Sequence, residues 1–308
     1  KPLTKYSKFI DNKSNFINEV RKAIDIAKSG RPGPVWIDIP LEFQWSDIIF
    51  KKSKINNKIK IKFNTINFKN FLKKSKKPLL ILGHGLRTSY DGIKNIKNFV
   101  KIKKIPFVTT WNSADIFPTN SSLNLGIIGM SGQRGANKAV FSSDLIICLG
   151  THLSIPHTTT LYENYAPNSK KIIVNIDKNQ MKNLNVKFDL KIHADVGEFL
   201  KVITSNKFKF NNLWKNSKTL KNQNWYFPNT NKFPNSNIIV KNLTSKINGR
   251  KCIIVDGGGT ALYAGFQSSN INKNDRIICS SSISSMGTGL AETIGCAKSK
   301  KFSKYICI

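Results

Sequence analysis

The sequence predicts an α/β fold built from doubly wound parallel sheets. Short apolar stretches alternate with helical patterns along most of the 308 residues, which is typical of parallel sheets with helices on both faces. Glycine-marked turns follow two of the predicted strands, at Gly257–Gly259 and at Ser284–Gly287. Such turns, about 25 residues apart, suggest a nucleotide- or diphosphate-type ligand at a sheet edge and an enzyme rather than a scaffold.

The composition is that of a globular protein, with 40% hydrophobic and 10% aromatic residues. No apolar run approaches the roughly 20 residues that span a bilayer, so we expect no membrane association. The formal net charge of +33 invites a nucleic-acid-binding interpretation, but arginine occurs at only six positions. Scattered lysines beside abundant Asn and Ile are what an AT-rich coding sequence produces. We therefore expect no nucleic-acid partner, and nucleic-acid binding stays an alternative based on charge alone.

Cysteine and histidine spacing predicts no metal site within this chain. The five cysteines lie in apolar stretches without a C-x-x-C pair, which favours buried thiols in a reducing cytoplasm. The four histidines show no metal-ligand spacing.

The first part of the chain predicts a helix and a strand. Apolar residues at helical spacing predict a helix over residues 12–29, with Gly30 as its C-terminal cap. Pro34–Pro40 is predicted to be a buried strand. The Lys/Asn-rich stretch 46–77 is interpreted as a linker with a short helix near Phe68–Lys74.

Two further blocks of alternating strands and helices follow. Residues 78–205 form the first block and residues 238–308 the second, separated by a weakly periodic stretch, 206–237, interpreted as a second linker. Predicted strands are Leu79–Leu82, Pro106–Thr110, Leu145–Leu149, Lys171–Ile176, Cys252–Val255 and Arg276–Cys279, with Gly126–Gly135 as a glycine-rich loop. Both ends look cut, so we expect an internal part of a longer protein.

The two glycine-marked turns carry the candidate binding residues. Gly258, Gly259, Thr260 and Ala261 open a helix after a strand, and bare amides at a helix N-terminus suit a diphosphate. Met286 stands between small residues at the second turn. A glycine turn without a ligand and an ordinary core methionine are the alternatives.

Three strings, in this order, resemble the thiamine-diphosphate-dependent enzymes of the acetolactate synthase type. Residues 21–44 contain G-R-P-G-P-V-W-I-D-I-P, near the family's A-x-x-G-R-P-G-P-V-x-I-D-I-P-x-D-x-Q. Residues 105–150 contain I-P-F-V-T-T, G-I-I-G-M, G-A-N-K-A-V and S-D-L-I-I-C-L-G. Residues 252–297 contain S-M-G-T-G-L. The resemblance covers nearly the whole chain.

The resemblance implies a three-domain architecture whose first and third domains are truncated here. Residues 1–45 would be the C-terminal end of the pyrimidine-binding domain, and residues 46–77 a linker. Residues 78–205 would be the central Rossmann-like domain, residues 206–237 a linker, and residues 238–308 the N-terminal half of the diphosphate-binding domain.

The resemblance also implies roles for individual residues. Met286 would be the hydrophobic prop beneath the thiazolium ring, which keeps the cofactor bent so that its 4′-amino group lies near C2. The carbonyl of Ser284 would accept from that amino group, and the Met286 amide would donate to the pyrimidine. Thr260 and Ala261 stand where acetolactate synthases typically carry Gln-His, so only the Thr260 hydroxyl offers a polar side chain.

The implied activity is decarboxylation of a 2-keto acid followed by carboligation, as in branched-chain amino acid biosynthesis, in a cytoplasmic homodimer or homotetramer. Thiamine diphosphate and Mg²⁺ are the implied cofactors. The activating glutamate and the magnesium ligands would lie outside this chain, so the chain alone is predicted to be inactive. A simple decarboxylase, a sugar-pathway relative and a Rossmann-type dinucleotide-binding module are the alternatives.

Three further features carry additional predictions. The Gly129–Gly135 loop is a candidate contact for FAD, but Thr151 and the residues after it replace the family's arginine, and FAD binding is left open. Asp38, alone among apolar residues, is interpreted as a structural carboxylate that caps backbone amides. His84 between two glycines is interpreted as a solvated loop histidine, with ligand contact as the alternative.

Overall fold

The computed structural model describes residues 3–47, 62–206, 208–214, 217–224, 227, 233–280 and 283–308. The chain divides into two compact units, Lys1–Lys62 and Phe63–Ile308. Parts of both predicted linkers, 46–77 and 206–237, lie outside the described residues. The division of the chain into five segments stays a prediction.

The first unit is a small parallel β-α-β arrangement. Its strands and helices are β1 (Tyr6–Phe9), α1 (Phe16–Lys28), β2 (Val35–Asp38) and α2 (Leu41–Gln44), with β1 and β2 paired in parallel. Gly30 has a φ of +54°, as expected for the residue after a helix. The strand predicted at Pro34–Pro40 is present as β2, but the prediction that it is buried is wrong. Side chains of β2 alternate between two faces, and Trp36 is 59% exposed.

A six-stranded parallel sheet forms the larger part of the second unit. Its strands are β3 (Pro78–Leu82), β4 (Phe107–Thr109), β5 (Asn124–Ile127), β6 (Leu145–Leu149), β7 (Lys170–Asn175) and β8 (Leu190–His193). Their spatial order is β5-β4-β3-β6-β7-β8, and every neighbouring pair is parallel. The order reverses between β3 and β6, which is the topology of a doubly wound fold.

Helices cover both faces of this sheet. They are α3 (Ile66–Lys74), α4 (Gly85–Thr88), α5 (Gly92–Lys103), α6 (Arg134–Ser142), α7 (Ile155–Thr158), α8 (Lys178–Lys182), α9 (Val196–Ser205) and α10 (Ser217–Gln223). Leu80 and Leu82 point into a core with α3, α5 and α9, whereas Leu79 and Ile81 point into a core with α6. The predicted fold class is therefore confirmed.

A second parallel sheet, with the order β10-β9-β11, completes the unit. Its elements are α11 (Ser236–Lys246), β9 (Lys251–Ile254), α12 (Gly259–Ser268), β10 (Arg276–Ile278), α13 (Thr288–Lys298) and β11 (Lys304–Cys307). The two sheets share a core, in which Trp111 stacks on Phe266 with ring centroids 5.5 Å apart. In the part of the chain that the structure describes, no helix has the length and apolarity needed to cross a membrane.

Two stretches differ from their sequence-based interpretation. The predicted loop Gly126–Gly135 begins inside β5, a short edge strand. Gly126 lies within this strand and interrupts its apolar pattern, so the sequence does not indicate a strand here. Within the predicted linker 206–237, α10 packs on α6. The buried Asn224 fixes this contact, because its side-chain oxygen accepts from the Gly135 amide at 2.8 Å and its amide group donates to the Leu125 carbonyl at 2.6 Å. Polar contacts of this kind leave no apolar period in the sequence.

Candidate functional site

The two glycine-marked turns meet at one edge of the three-stranded sheet. Strands β9 and β10 are parallel neighbours, so their carboxyl ends lie side by side. The turn Gly257–Gly259 follows β9 and opens α12, and the turn Ser284–Gly287 precedes α13. The juxtaposition arises from the sheet order rather than from proximity in sequence.

Glycine at two positions allows the turns to approach closely. A Cβ built on Gly258 would lie 2.5 Å from Cγ of Met286, and one built on Gly257 would lie 2.6 Å from the carbonyl carbon of Ser284. Distances this short are excluded for real side chains. The absence of side chains at Gly257 and Gly258 therefore lets the second turn lie against the first.

The backbone of both turns includes left-handed residues. Gly259 and Gly287 have φ values of +56° and +85°, and Ser284 has a φ of +55°. The non-glycine residue in this region costs conformational energy. The turn that carries the predicted Ser284 carbonyl contact is thus held in an uncommon conformation.

The side chain of Asp256 links the two turns by hydrogen bonds. Its carboxylate accepts from the Gly289 amide at 2.9 Å and from the Gly287 amide at 3.0 Å. These amides, that of Gly289 foremost, together with the amides of Gly258 and Gly257, hold the pKa of Asp256 below its usual range. The carboxylate is therefore charged at neutral pH.

Asp256 was not predicted as a site residue. The signal for it is present in the sequence, because a single carboxylate stands between the apolar strand and three glycines. A carboxylate at that point can accept from bare amides of a neighbouring turn. What the sequence does not show is that the neighbouring turn is the one 31 residues later.

The predicted site residues are accessible. Met286 is 83% exposed and lies over Gly258, Thr260 is exposed, and Ala261 and Ser284 are half-buried. Helix α12, of ten residues, begins at Gly259 and directs its first amides at this edge. The interpretation of Met286 as an ordinary core methionine is wrong, because its side chain is not in the core.

Cys279 directly follows β10, and its side chain is buried. Burial, and then the nearby carboxylates of Glu292 and Asp256, raise the pKa of this thiol to about 11. The thiol is protonated at neutral pH and is not a nucleophile.

The other predicted residues lie elsewhere in the fold. Asp38 accepts from the indole N–H of Trp36 at 2.6 Å, so the expectation of a backbone-capping carboxylate is corrected to a side-chain contact. His84 is exposed, with Nδ1 3.4 Å from the Asn112 carbonyl. In the Gly129–Gly135 loop, the Gly129 amide donates to the side chain of Asn137 at 2.9 Å.

Residues 67–203 match the family model described as the central domain of thiamine pyrophosphate enzymes; thiamine pyrophosphate is thiamine diphosphate. The probable acetolactate synthase large subunit of Methanococcus aeolicus is 29% identical over 338 residues, covering 100% of this chain and 56% of the relative. Over its whole length, the chain is similar to thiamine-diphosphate-dependent enzymes of the acetolactate synthase type. The resemblance stated from the sequence is thereby confirmed.

Two other relatives match a shorter part of the chain. The probable acetolactate synthase large subunit of Methanocaldococcus jannaschii is 31% identical over 210 residues, which are 65% of this chain and 35% of the relative. The chloroplastic acetolactate synthase 2 of Nicotiana tabacum is 29% identical over 208 residues, which are 62% of this chain and 30% of the relative. The chain spans about half the length, 56%, of the relatives that it matches from end to end.

Proposed function

We propose that the protein containing this chain is a thiamine-diphosphate-dependent carboligase that decarboxylates a 2-keto acid and joins the remainder to an acceptor carbonyl, as in acetolactate synthesis. The observation that carries this proposal is the meeting of the Gly258 turn and the Met286 turn at one sheet edge. Similarity to acetolactate synthases over the whole chain supports it.

The two turns have the chemistry that the cofactor requires. The bare amides at the start of α12 and the hydroxyl of Thr260 would hold the diphosphate. The Met286 side chain would support the thiazolium ring, and the Ser284 carbonyl and the Met286 amide would hold the pyrimidine. The close contact between Gly258 and Met286 brings these groups side by side, which supports this assignment.

The cofactor, when bound, would supply the electron sink that a 2-keto acid needs to lose CO₂. The chain's own contribution is to orient that group. Asp256 holds the two turns at a fixed separation through the Gly287 and Gly289 amides. Fixed geometry of this kind accounts for a large part of enzymatic rate acceleration.

Magnesium, assembly and compartment are parts of the same proposal. Among the described residues, no group of three or more His, Cys, Asp and Glu side chains could hold a metal ion. Following the family resemblance, we place the Mg²⁺ ligands, and the glutamate that activates the pyrimidine, in other parts of the full-length protein. A homodimer or homotetramer would bring these parts together. FAD is a further candidate ligand, at the Gly129–Gly135 loop, and the cytoplasm is the compartment that the unpaired cysteines favour.

The test is product analysis with the full-length protein, pyruvate, thiamine diphosphate and Mg²⁺. Formation of acetolactate supports the proposal, and release of acetaldehyde alone would identify a simple decarboxylase instead. Absence of turnover with every 2-keto acid tried, in protein that binds the cofactor, would overturn it. The 308-residue chain alone is predicted to be inactive, and carboligase activity from it would refute that prediction.

A further inference from the structure

A cationic cavity lies between the six-stranded and the three-stranded sheet of the second unit. Its volume is about 170 Å³, well above what a single water molecule needs. We call it the seam cavity. Its lining includes five cationic side chains and two carboxylates, namely Arg87, Lys97, Arg250, Lys273, Arg276, Asp115 and Asp275. None of the residues of the two glycine-marked turns lines it, so it is separate from the site proposed above.

One carboxylate is shared by two arginines in the wall of the seam cavity. The Asp115 side chain is 0% exposed and pairs with Arg87 and with Arg276, whose Nη1 lies 2.5 Å from Asp115 Oδ2. The group therefore has one uncompensated positive charge. Burial lowers the pKa of Arg87, Asp115 opposes that fall, and Arg276 adds to it. A partly buried positive charge of this kind is costly unless an anion offsets it.

Asp275, the second carboxylate in the lining, does not offset the positive charge of the cavity. Asp275 is already paired with Lys251, whose Nζ lies 2.9 Å from Oδ2, and the two side chains are 0% and 1% exposed. Asp275 also accepts from the Lys251 amide at 3.0 Å. Lys251 does not line the cavity. Its charge neutralises Asp275, so the cationic side chains of the lining remain uncompensated by this carboxylate.

Arg250 adds a further guanidinium that the fold orients. Its Nε donates to the Asn274 carbonyl at 3.0 Å, and its guanidinium lies 4.6 Å from the ring centroid of Phe302. These contacts fix the plane of the group while leaving other N–H donors of the fork for a ligand. Planar guanidinium forks are well matched to phosphate oxygens.

We propose that the seam cavity binds a phosphate or diphosphate group of a small molecule. Arg87, Arg250 and Arg276 would supply forked donors, and Lys97 and Lys273 would supply point charges at the mouth. Lining residues come from α4, α5 and the loop after β4 on one side, and from the segments that lead into β9 and β10 on the other. A bound phosphate would therefore link the two sheets of the unit and stabilise their contact. This inference does not rest on the proposed function.

The test is a calorimetric titration of the intact protein with inorganic phosphate, diphosphate or ADP at constant ionic strength. Thiamine diphosphate is left out, because its own diphosphate would compete for the seam cavity, and the variants below separate the cavity from the Gly258 turn. Saturable binding is expected, with one equivalent per chain that depends on the cavity. Inorganic phosphate binding as tightly as ADP would identify a free anion as the ligand, and tighter ADP binding would identify a nucleotide; both support the site.

A charge-reversed variant decides where the anion binds. Lys97→Glu with Lys273→Glu changes two exposed residues and should weaken binding about a hundredfold, which is about 3 kcal/mol. The matched control is Lys94→Glu with Lys298→Glu, two exposed lysines outside the lining with the same change of charge. Equal weakening in both variants would reflect only the overall charge of the protein. That result, unchanged affinity in the cavity variant, or the absence of saturable binding would each overturn the proposal.

Discussion

Met286 occupies the space that a side chain at Gly258 would fill. An added Cβ at Gly258 would lie 2.5 Å from Met286 Cγ and 3.3 Å from its sulfur. The methionine is nevertheless 83% exposed, so it packs on the first turn without being part of the core. The residue pair therefore sets the position of an accessible, polarizable side chain beside a helix N-terminus.

Gly258→Ala tests this contact with little effect on the backbone. Gly258 has a φ of −134°, which alanine adopts without strain, so the substitution adds only the collision with Met286. Because Met286 is exposed and can rotate, the free energy of unfolding should change by less than about 1 kcal/mol. The dissociation constant for thiamine diphosphate should rise about tenfold, or about 1.4 kcal/mol. Gly295→Ala, where an added Cβ meets nothing within 4 Å, is the control; equal affinity of the two variants would refute the contact's role.

Met286→Ala and Met286→Leu separate support of the cofactor from its binding. Alanine removes the support for the thiazolium ring, and a misplacement of about 1 Å costs about a hundredfold in rate. We therefore expect kcat of the full-length enzyme to fall about that far while the cofactor dissociation constant changes much less. Leucine, of similar volume, should restore most of kcat. An alanine variant with the wild-type kcat would contradict the proposed role.

Asp256→Asn should change the acid stability of the second unit. Backbone amides hold the pKa of Asp256 below its usual range, so its hydrogen bonds stabilise the fold fully above the unfolded-state pKa of about 3.9. This stabilisation is lost as the pH falls through the lower pKa of the folded state. Thermal unfolding midpoints measured between about pH 2 and pH 6 should fall less steeply in the variant. Asp11→Asn, at an exposed aspartate, is the control, and parallel curves for the wild type and Asp256→Asn would contradict the prediction.

A second pH dependence of stability is expected from His157. Its cause is burial of the imidazole, whereas the cause at Asp256 is hydrogen bonding to the carboxylate. Nε2 of His157 is buried without a hydrogen-bond partner in the described residues, and burial, followed by the charge of His152, lowers its pKa to about 4. The unfolded chain takes up the proton near pH 6.5 but the folded chain does not, so stability falls as the pH drops from about 6.5 to about 4. The loss should be about 3 kcal/mol.

Chemical unfolding of His157→Phe at several pH values measures this dependence. Phenylalanine keeps an aromatic ring against Trp111, whose ring centroid lies 5.7 Å from that of His157, and does not titrate. We expect the slope of stability between about pH 4 and pH 6.5 to flatten in this variant and to remain in the control His84→Phe. An unchanged slope in His157→Phe would show that other groups cause the dependence.

Asp115→Ala should destabilise the second unit strongly. Asp115 is 0% exposed and pairs with two arginines, so its removal leaves two partly buried guanidinium groups without their carboxylate. We expect the free energy of unfolding to fall by about 3 kcal/mol. The control Asp11→Asn breaks the exposed pair with Lys8 and should cost less than about 1 kcal/mol. Equal effects in denaturant titrations would contradict this assignment.

The apolar strands and glycine turns of the second unit could be predicted from the sequence because they depend on local signals. Leu79–Leu82 and Cys252–Val255 are continuous apolar runs, and the predicted turn from strand to helix after the second of them lies at Gly257–Gly259 in the structure. Buried parallel strands have this pattern because both of their faces are covered. The family resemblance added the functional interpretation of Met286, which spacing alone did not provide.

Features held by polar contacts over long sequence separations could not be predicted. The contact of Asp256 with Gly287 and Gly289 depends on which strands are neighbours, and strand order has no local signal. The packing of α10 depends on Asn224, a polar residue whose hydrogen bonds reach back about 90 residues to Gly135. The seam cavity likewise combines side chains from both sheets.

Methyl-labelled methionine provides the sharpest measurement. The chain has three methionines, of which Met130 is 64% exposed, Met181 is buried and Met286 is 83% exposed. In ¹³C-methyl spectra of the full-length protein, with signals assigned by substitution, thiamine diphosphate should shift the Met286 methyl resonance through the ring current of the thiazolium and leave that of Met181 unchanged. A saturated complex in which the Met286 resonance does not move would contradict the proposed site.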